Sequence, residues 1–429
     1  MIRDERRLSA LIVNYNSGAF AVNCVESLIR EWAREGRDPA KLEIVLIDNA
    51  SPNDDEPHLV RCEAAGARVI RSTENLGYAA GMNRCLAETS GEPDDVVAIL
   101  NPDLYFVPGN LGALMGYLAA HPECGCVGPK ATIDPEERLI LPKNPLPTPL
   151  EELRVFLAQA SPRLCRAYSR RRFRYSLPWW TSSEPIHADM LSGCCLFLRR
   201  AVVAELGGRL MDERYPLYYE DTDLFRDLDE RGYTVVQYTA TTVLHHWSRS
   251  SGFGDSFMGE PMRRYLISRE AYYKKFHGAL GWLLVRAIDK LAGLWPAKLS
   301  HRAMHALESF GAIAEPPELV LSRPASFVIE VALRPNWQLA VGVIGEGKTW
   351  RCPDDTWTWF FDVDYFLRAV CRETGEVLGA WHFRKTAPGR TAPLGADEIA
   401  ALEQRWTGAA ARRVGGAIPA NPANLGAAS

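Results

Sequence analysis

VVAILNPDLYFV, residues 96–107, is the stretch that decides the fold. The apolar run Val96–Leu100 breaks at Asn101-Pro102-Asp103, and a second apolar run follows. Proline has no backbone N–H and stops regular pairing, so a buried strand should end here with Asp103 exposed at its carboxyl tip. In open α/β sheets, ligands lie outside the carboxyl ends of the strands. A carboxylate at that place suits Mg²⁺ or Mn²⁺, ions that combine a few carboxylates with phosphate oxygens. Taken alone, the same residues also fit a strand closed by a Pro-Asp turn. The neighbouring segments decide between the two.

Residues 8–13 read as a buried parallel strand ending in Asn14-Tyr15-Asn16-Ser17-Gly18. Ala21, Cys24, Val25, Leu28 and Trp32 then recur at helical spacing. Residues 42–47 form a second strand ending in Asp48-Asn49-Ala50-Ser51, and Arg68–Arg71 a short third. Glu74-Asn75-Leu76-Gly77-Tyr78-Ala79-Ala80-Gly81 opens another helix. Repeated strand–turn–helix units predict an α/β fold, a mostly parallel sheet with helices on both faces. Its polar turns collect where a nucleotide would lie.

The bulk numbers set the class. At 429 residues the chain exceeds a single typical domain, which predicts a large core plus an accessory part. A hydrophobic fraction of 47% with 24% charged residues is that of a globular protein, and a net charge of −4 argues against nucleic acid as a partner. The ten cysteines include no Cys-x-x-Cys pair, so neither a zinc ribbon nor a thioredoxin-like site is indicated, and a reducing cytoplasm is expected. The first apolar run is too short for a secretory signal, and no run approaches the ~18 apolar residues of a spanning helix.

The ordered set Val13-Asn14-Tyr15-Asn16-Ser17, Ile47-Asp48-Asn49-Ala50-Ser51, Glu74-Asn75-Leu76-Gly77-Tyr78 and Leu100-Asn101-Pro102-Asp103 resembles the inverting, GT-A-fold glycosyltransferases of family 2. Within them it is most similar to the rhamnosyltransferase-like branch, where Asn-Pro-Asp stands for the usual Asp-x-Asp. The resemblance covers residues 8–280. It implies a Rossmann-like sheet and a nucleotide-sugar donor (dTDP- or UDP-sugar, dTDP-rhamnose foremost). It further implies Mg²⁺ or Mn²⁺, and a glycan or lipid-linked glycan acceptor in cell-surface polysaccharide synthesis. By position, Asn14 and Tyr15 would line the nucleoside pocket and Asp48 would hold the base or ribose. Asn75, Gly77 and Asn101 would shape the donor pocket, while Asp103 would bind the metal on the diphosphate. Carboxylates and amides recognise nucleoside edges and glycine permits close approach, but each residue alone also fits a local turn.

Tyr219-Glu220-Asp221-Thr222-Asp223-Leu224 looks like the family's catalytic helix start, with Asp221 as general base beside Glu220 and Asp223. Clustered carboxylates raise one another's proton affinity, which brings a base nearer neutral pH. Without the upstream motifs, an acidic helix N-terminus would explain the same residues. Val243-Leu244-His245-His246-Trp247-Ser248-Arg249-Ser250 resembles the family's closing segment. There His245 would reach the metal or diphosphate, and Arg249 or Ser250 a phosphate.

Residues 129–188, rich in proline and arginine, read as an insertion over the site with at most short helices. Trp179 and Trp180 fit either sugar stacking or a core. Residues 281–318 read as a helical linker whose leucines with Arg286 and Lys290 suit a membrane surface or packing on the catalytic domain. Residues 319–390 read as a small, mainly β accessory domain, whose aromatics leave a homodimer contact open, and residues 391–429 as a largely disordered tail. Residues 342–349 match the phosphate-loop pattern, but the turn-like Arg351-Cys352-Pro353-Asp354 after them leaves no helix to face a phosphate. Two readings rival a glycosyltransferase, a sugar-phosphate nucleotidyltransferase and a catalytically silent glycan-binding protein. The first would need a glycine-rich basic loop after the first strand, and residues 14–18 are not one.

Overall fold

The computed structural model describes residues 6–246, 259–294 and 306–414. Its first strand, β1 (Leu8–Asn14), is buried along its whole length, as an uninterrupted apolar run requires in a sheet covered on both faces. β2 (Leu42–Asp48), β3 (Arg68–Arg71) and β4 (Val96–Leu100) extend it in parallel. β5 (Leu104–Phe106), β6 (Cys124–Thr132), β7 (Ile186–His187), β8 (Cys195–Arg199) and β9 (Thr234–His245) complete the sheet. The order is β3-β2-β1-β4-β8-β6-β9-β5, with β7 also on β9 and with β5, β7 and β8 antiparallel to their neighbours. Alternate residues of β1 serve opposite faces. Leu8, Ala10 and Ile12 pack beneath the helix Gly18–Arg34, and Leu11 and Val13 beneath the helix Tyr78–Ala87. The mostly parallel α/β sheet expected from the strand–turn–helix repeats is therefore present.

The turn Asn101-Pro102-Asp103 ends β4 as proline dictates, but Asp103 is not a solvent-facing tip. The chain re-enters the sheet at once, with Leu104 of β5 opposite His245 of β9, and Asp103 is only 2% exposed.

The insertion also departs from expectation. It contains the helices Pro149–Ala160 and Pro162–Thr181, the first opened by Thr148, whose Oγ1 accepts the Glu151 N–H. The second buries Cys165, Tyr168, Ser169, Arg172, Phe173, Ser176, Trp179 and Trp180. That is a regular helical stripe, hidden from a hydrophobicity reading because two of its members are serines and one is an arginine. Trp179 donates its indole N–H to Leu141 O, so both tryptophans are core anchors and not sugar platforms.

A second sheet follows the helix Glu260–Leu294, which breaks at Gly278 (φ 64°). It contains β10 (Glu308–Ile313), β11 (Glu318–Ala332), β12 (Ala340–Arg351), β13 (Asp364–Cys371) and β14 (Val377–Lys385), in the order β10-β14-β13-β11-β12. The phosphate-loop-like residues 342–349 lie inside β12, where no helix N-terminus exists to hold a phosphate. Two of their glycines have a packing role, since a Cβ on Gly342 would strike the Trp180 ring and one on Gly345 the Phe327 ring.

This sheet is not an appendage. Ile140 and Gly342 exchange both backbone hydrogen bonds (3.0 and 2.9 Å), and Tyr105, Leu139 and Leu244 share one core with Leu319, Trp357 and Trp406. Arg368 reaches Glu330 (2.6 Å) and Ser169 of the insertion, all buried. Removing one partner of such a pair costs roughly 3–5 kcal/mol. The expected disordered tail instead begins with a helix, Ala396–Val414. Leu402 and Trp406, one turn apart, are buried in that shared core, and Glu403 pairs with Arg30. Its alanine-rich composition hid that short stripe. Among the described residues, no helix is long and apolar enough to cross a membrane.

Candidate active site

The strand ends form one polar floor. Asn14 and Asp48 are partners in the β1–β2 register, and the Asn14 amide donates to Asp48 (2.8 Å) and Asp55 (2.9 Å). Ser51 donates its hydroxyl and its backbone N–H to the two Asp48 oxygens. Tyr15 lies half-buried beside them. Asn49, one residue beyond the strand, bonds the Asn75 side chain (3.0 Å), Gly77 O and Leu76 N, so it fixes the loop that carries Asn75 and Gly77. Gly77 sits at φ +83°, a left-handed entry to the next helix that a side chain would resist. Of these, Asn49 and Asp55 were not singled out in the sequence. Asn49 stood inside a recognised motif, while nothing local marked Asp55.

The middle of the site joins two distant turns. Asp103 Oδ1 meets His245 Nε2 at 3.3 Å, the Asn101 amide lies 3.4 Å from the same nitrogen, and Tyr78 donates its hydroxyl to Asn101 (3.0 Å). Burial opposes ionisation of both Asp103 and His245. Their mutual attraction wins, holding Asp103 below the usual carboxylate range and His245 well above the usual imidazole value. The buried His245 Nδ1 has no partner among the described residues. His246 packs between Phe20 and Trp359 and is a core residue. Arg249 and Ser250 lie outside the described residues.

The helix Glu220–Glu230 brings in the three acidic residues. It is entered through Tyr218 (φ 61°) and Tyr219 (φ 69°), two consecutive non-glycine residues in the left-handed region. Such backbone costs about 1–3 kcal/mol per residue and persists where surrounding packing imposes it. Here Tyr219 is clamped by the rings of Tyr265 and Tyr272. Asp221 then faces a cavity of about 840 Å³. Its Oδ1 accepts from Thr222, no cation lies within ion-pair distance among the described residues, and Gly193 packs so closely that a Cβ there would strike the carboxylate. Glu220 is buried, with Oε2 unpartnered among the described residues. Burial and then the neighbouring Asp221 push Glu220 up to about 8, and burial raises Asp221 as well.

Asp223 differs from both. It accepts from Tyr215 (2.6 Å) and from Lys275 at both oxygens (2.7 and 2.8 Å), and it does not line the cavity. Its lone pairs already serve the fold, whereas those of Asp221 face the cavity.

The cavity reaches from His245 and Asp221 past Tyr218 and Ser192 to the insertion and to the second sheet, which contributes Arg334, Asn336, Gln338 and Phe360. Asn14, Tyr15, Asp48, Asn75 and Gly77 are not in its lining, so the polar floor at the strand ends is distinct from the cavity between the sheets, which His245, the partner of Asp103, lines.

Known proteins resemble this chain in sequence and fold. A family model described as glycosyl transferase family 2 matches residues 9–207. The N-acetylglucosaminyl-diphospho-decaprenol L-rhamnosyltransferase of Mycobacterium tuberculosis, in two strains, is 31% identical over 256 residues, which cover 57% of this chain and 78% of that protein. Among solved structures, the chain is similar to the mannosyltransferase PcManGT from Pyrobaculum calidifontis with GDP-Man and Mn²⁺ (TM-score 0.37, 15% identity, 69% of this chain and 78% of that one). It is also similar to S. aureus TarS 1-349 with UDP-GlcNAc (TM-score 0.37, 14% identity, 63% and 73%). Those two likenesses are too loose to bear on the chemistry. The relative's identity and coverage, with a sheet whose strand ends gather the same ordered motifs, make this chain a glycosyltransferase that belongs to glycosyl transferase family 2.

Proposed function

We propose that this glycosyltransferase moves L-rhamnose from dTDP-rhamnose to a hydroxyl of a lipid-diphosphate-linked glycan in one displacement with inversion. The observation that carries the reading is the Asp221 carboxylate, which faces the cavity that His245 also lines and has no cation within ion-pair distance among the described residues. The choice of sugar and acceptor is supported by the name of the M. tuberculosis relative.

In this mechanism the polar floor of Asn14, Asp48 and Asn49 holds the nucleoside, and the Asn75–Gly77 loop closes over the donor. Asp221 accepts the proton of the acceptor hydroxyl as that oxygen attacks the anomeric carbon. Its raised proton affinity makes it a better acceptor near neutral pH than an exposed carboxylate. Asp103 and His245 would hold a divalent ion once His245 gives up its proton, because a carboxylate oxygen 3.3 Å from an imidazole nitrogen forms a mixed set that favours Mn²⁺ over Mg²⁺. Among the described residues, no group of three or more His, Cys, Asp and Glu could hold a metal, so diphosphate oxygens and water would complete its shell. When bound, the ion would neutralise the charge on the departing diphosphate.

The acceptor's lipid suits the far half of the helix Glu260–Leu294. Leu280, Leu283, Leu284, Leu291 and Leu294 are exposed along one stripe, and Arg286 and Lys290 are exposed with them. An exposed stripe of this composition lies well at an anionic lipid surface. The experiment is a thermal-shift screen of nucleotide sugars with Mn²⁺, followed by transfer to a lipid-diphosphate acceptor. A ligand that binds only the native state raises its melting temperature by mass action. dTDP-rhamnose should give the largest shift, and a larger shift with another nucleotide sugar would replace the donor.

A further inference from the structure

We infer that Arg172 forms an anion subsite at the insertion side of the cavity and holds the phosphoryl group of the acceptor. The inference rests on the proposed acceptor, a sugar on a lipid diphosphate, and assigns the residue that recognises it.

Arg172 lines the cavity although it is only 6% exposed. It stands in the buried stripe of the helix Pro162–Thr181, a position where an apolar side chain would pack without cost. A buried guanidinium is normally matched by a carboxylate. This one is not. Its Nη2 donates to the carbonyl of Lys143 (2.9 Å), its Nε has no partner, and no carboxylate lies within ion-pair distance of it among the described residues.

The acids at the insertion side of the cavity are already engaged. Glu151 accepts from Tyr168 and pairs with Arg154 and Arg171, and Glu152 accepts from Tyr273 and pairs with Arg269. A second cation, Arg334, lines the same cavity from the loop after β11. A planar guanidinium with free donors matches phosphate oxygens better than any other protein group. The donor's diphosphate belongs to the opposite side, at Asp103 and His245, so the cavity would take the acceptor with its hydroxyl at Asp221 and its phosphoryl group at Arg172.

The test measures binding of farnesyl diphosphate by calorimetry in the presence of Mn²⁺ and saturating dTDP. Wild type, Arg172→Gln, Arg172→Lys and Arg170→Gln would be compared, each checked for a native melting transition. Arg172→Gln should weaken binding by about tenfold or more, the scale of a charge-assisted pair. Arg172→Lys, which keeps the charge and guards against a variant that fails to fold, should fall between, and Arg170→Gln, a change at the exposed neighbour on the same helix, should match wild type. Equal affinity in the wild type and both Arg172 variants would overturn the inference. So would absence of binding to wild type, or an equal loss in Arg170→Gln, which would show general charge attraction and no subsite. Binding is read without transfer. Arg172-dependent binding in a protein that fails to use dTDP-rhamnose would therefore refute the donor and leave the subsite standing.

Discussion

Asp221 and Asp223 stand two residues apart on one helical turn and meet opposite surroundings. Asp223 points inward, where Lys275 and Tyr215 occupy its oxygens. Asp221 points into the cavity, where Thr222 is its hydrogen-bond donor and no cation among the described residues compensates it. Burial raises the proton affinity of both, but only Asp221 has a face open to a substrate hydroxyl. The contrast separates a carboxylate that holds the fold from one free to accept a proton, which composition cannot do.

The largest expected effect breaks the cavity side. Asp221→Asn keeps the volume and the Thr222 contact but cannot accept a proton. Transfer should fall by roughly 10²-fold or more while donor affinity, measured by calorimetry, stays near wild type. Gly193→Ala should come next, because its methyl would displace the Asp221 carboxylate. A loss on the order of tenfold in kcat is expected from misplacing the base. Asp223→Asn should reverse the pattern, costing about 1.5–3 kcal/mol in urea unfolding through its lost charge-assisted bonds while kcat of the folded fraction changes little.

The smallest effect concerns Glu220. Its folded-state carboxyl is raised from 4.5 to about 8, so the folded chain holds a proton that the unfolded chain releases. That contribution is complete below about pH 4.5 and is lost as pH rises through about 8. Glu220→Gln mimics the protonated form, so its melting temperature should fall less than that of wild type between those values. Parallel melting curves against pH would show that Glu220 ionises freely.

The catalytic sheet was legible because its signals are local. Buried parallel strands appear as unbroken apolar runs, and their polar ends, such as Asn14, Asp48 and Asn101, follow directly in sequence. What escaped depends on distant partners. Asp223 looked like Asp221 until Lys275, 52 residues later, arrived beside it. Asp103 read as exposed because nothing near it announces that β9 returns His245 to cover it. Arg172 was lost among the many arginines of the insertion. Only the burial of its helix stripe distinguishes it from Arg170 and Arg171. The second sheet was read as separate because the Ile140–Gly342 bridge and the buried Arg368–Glu330 pair span hundreds or tens of residues without any sequence mark.

The central claim is a single displacement with Asp221 as proton acceptor and no enzyme nucleophile. The most direct measurement is the anomeric configuration of the product, read by NMR at the transferred sugar and compared with that of the donor. Inversion is the predicted result. Retention would contradict the account, since it requires a covalent intermediate or front-face attack that an Asp221 base does not provide.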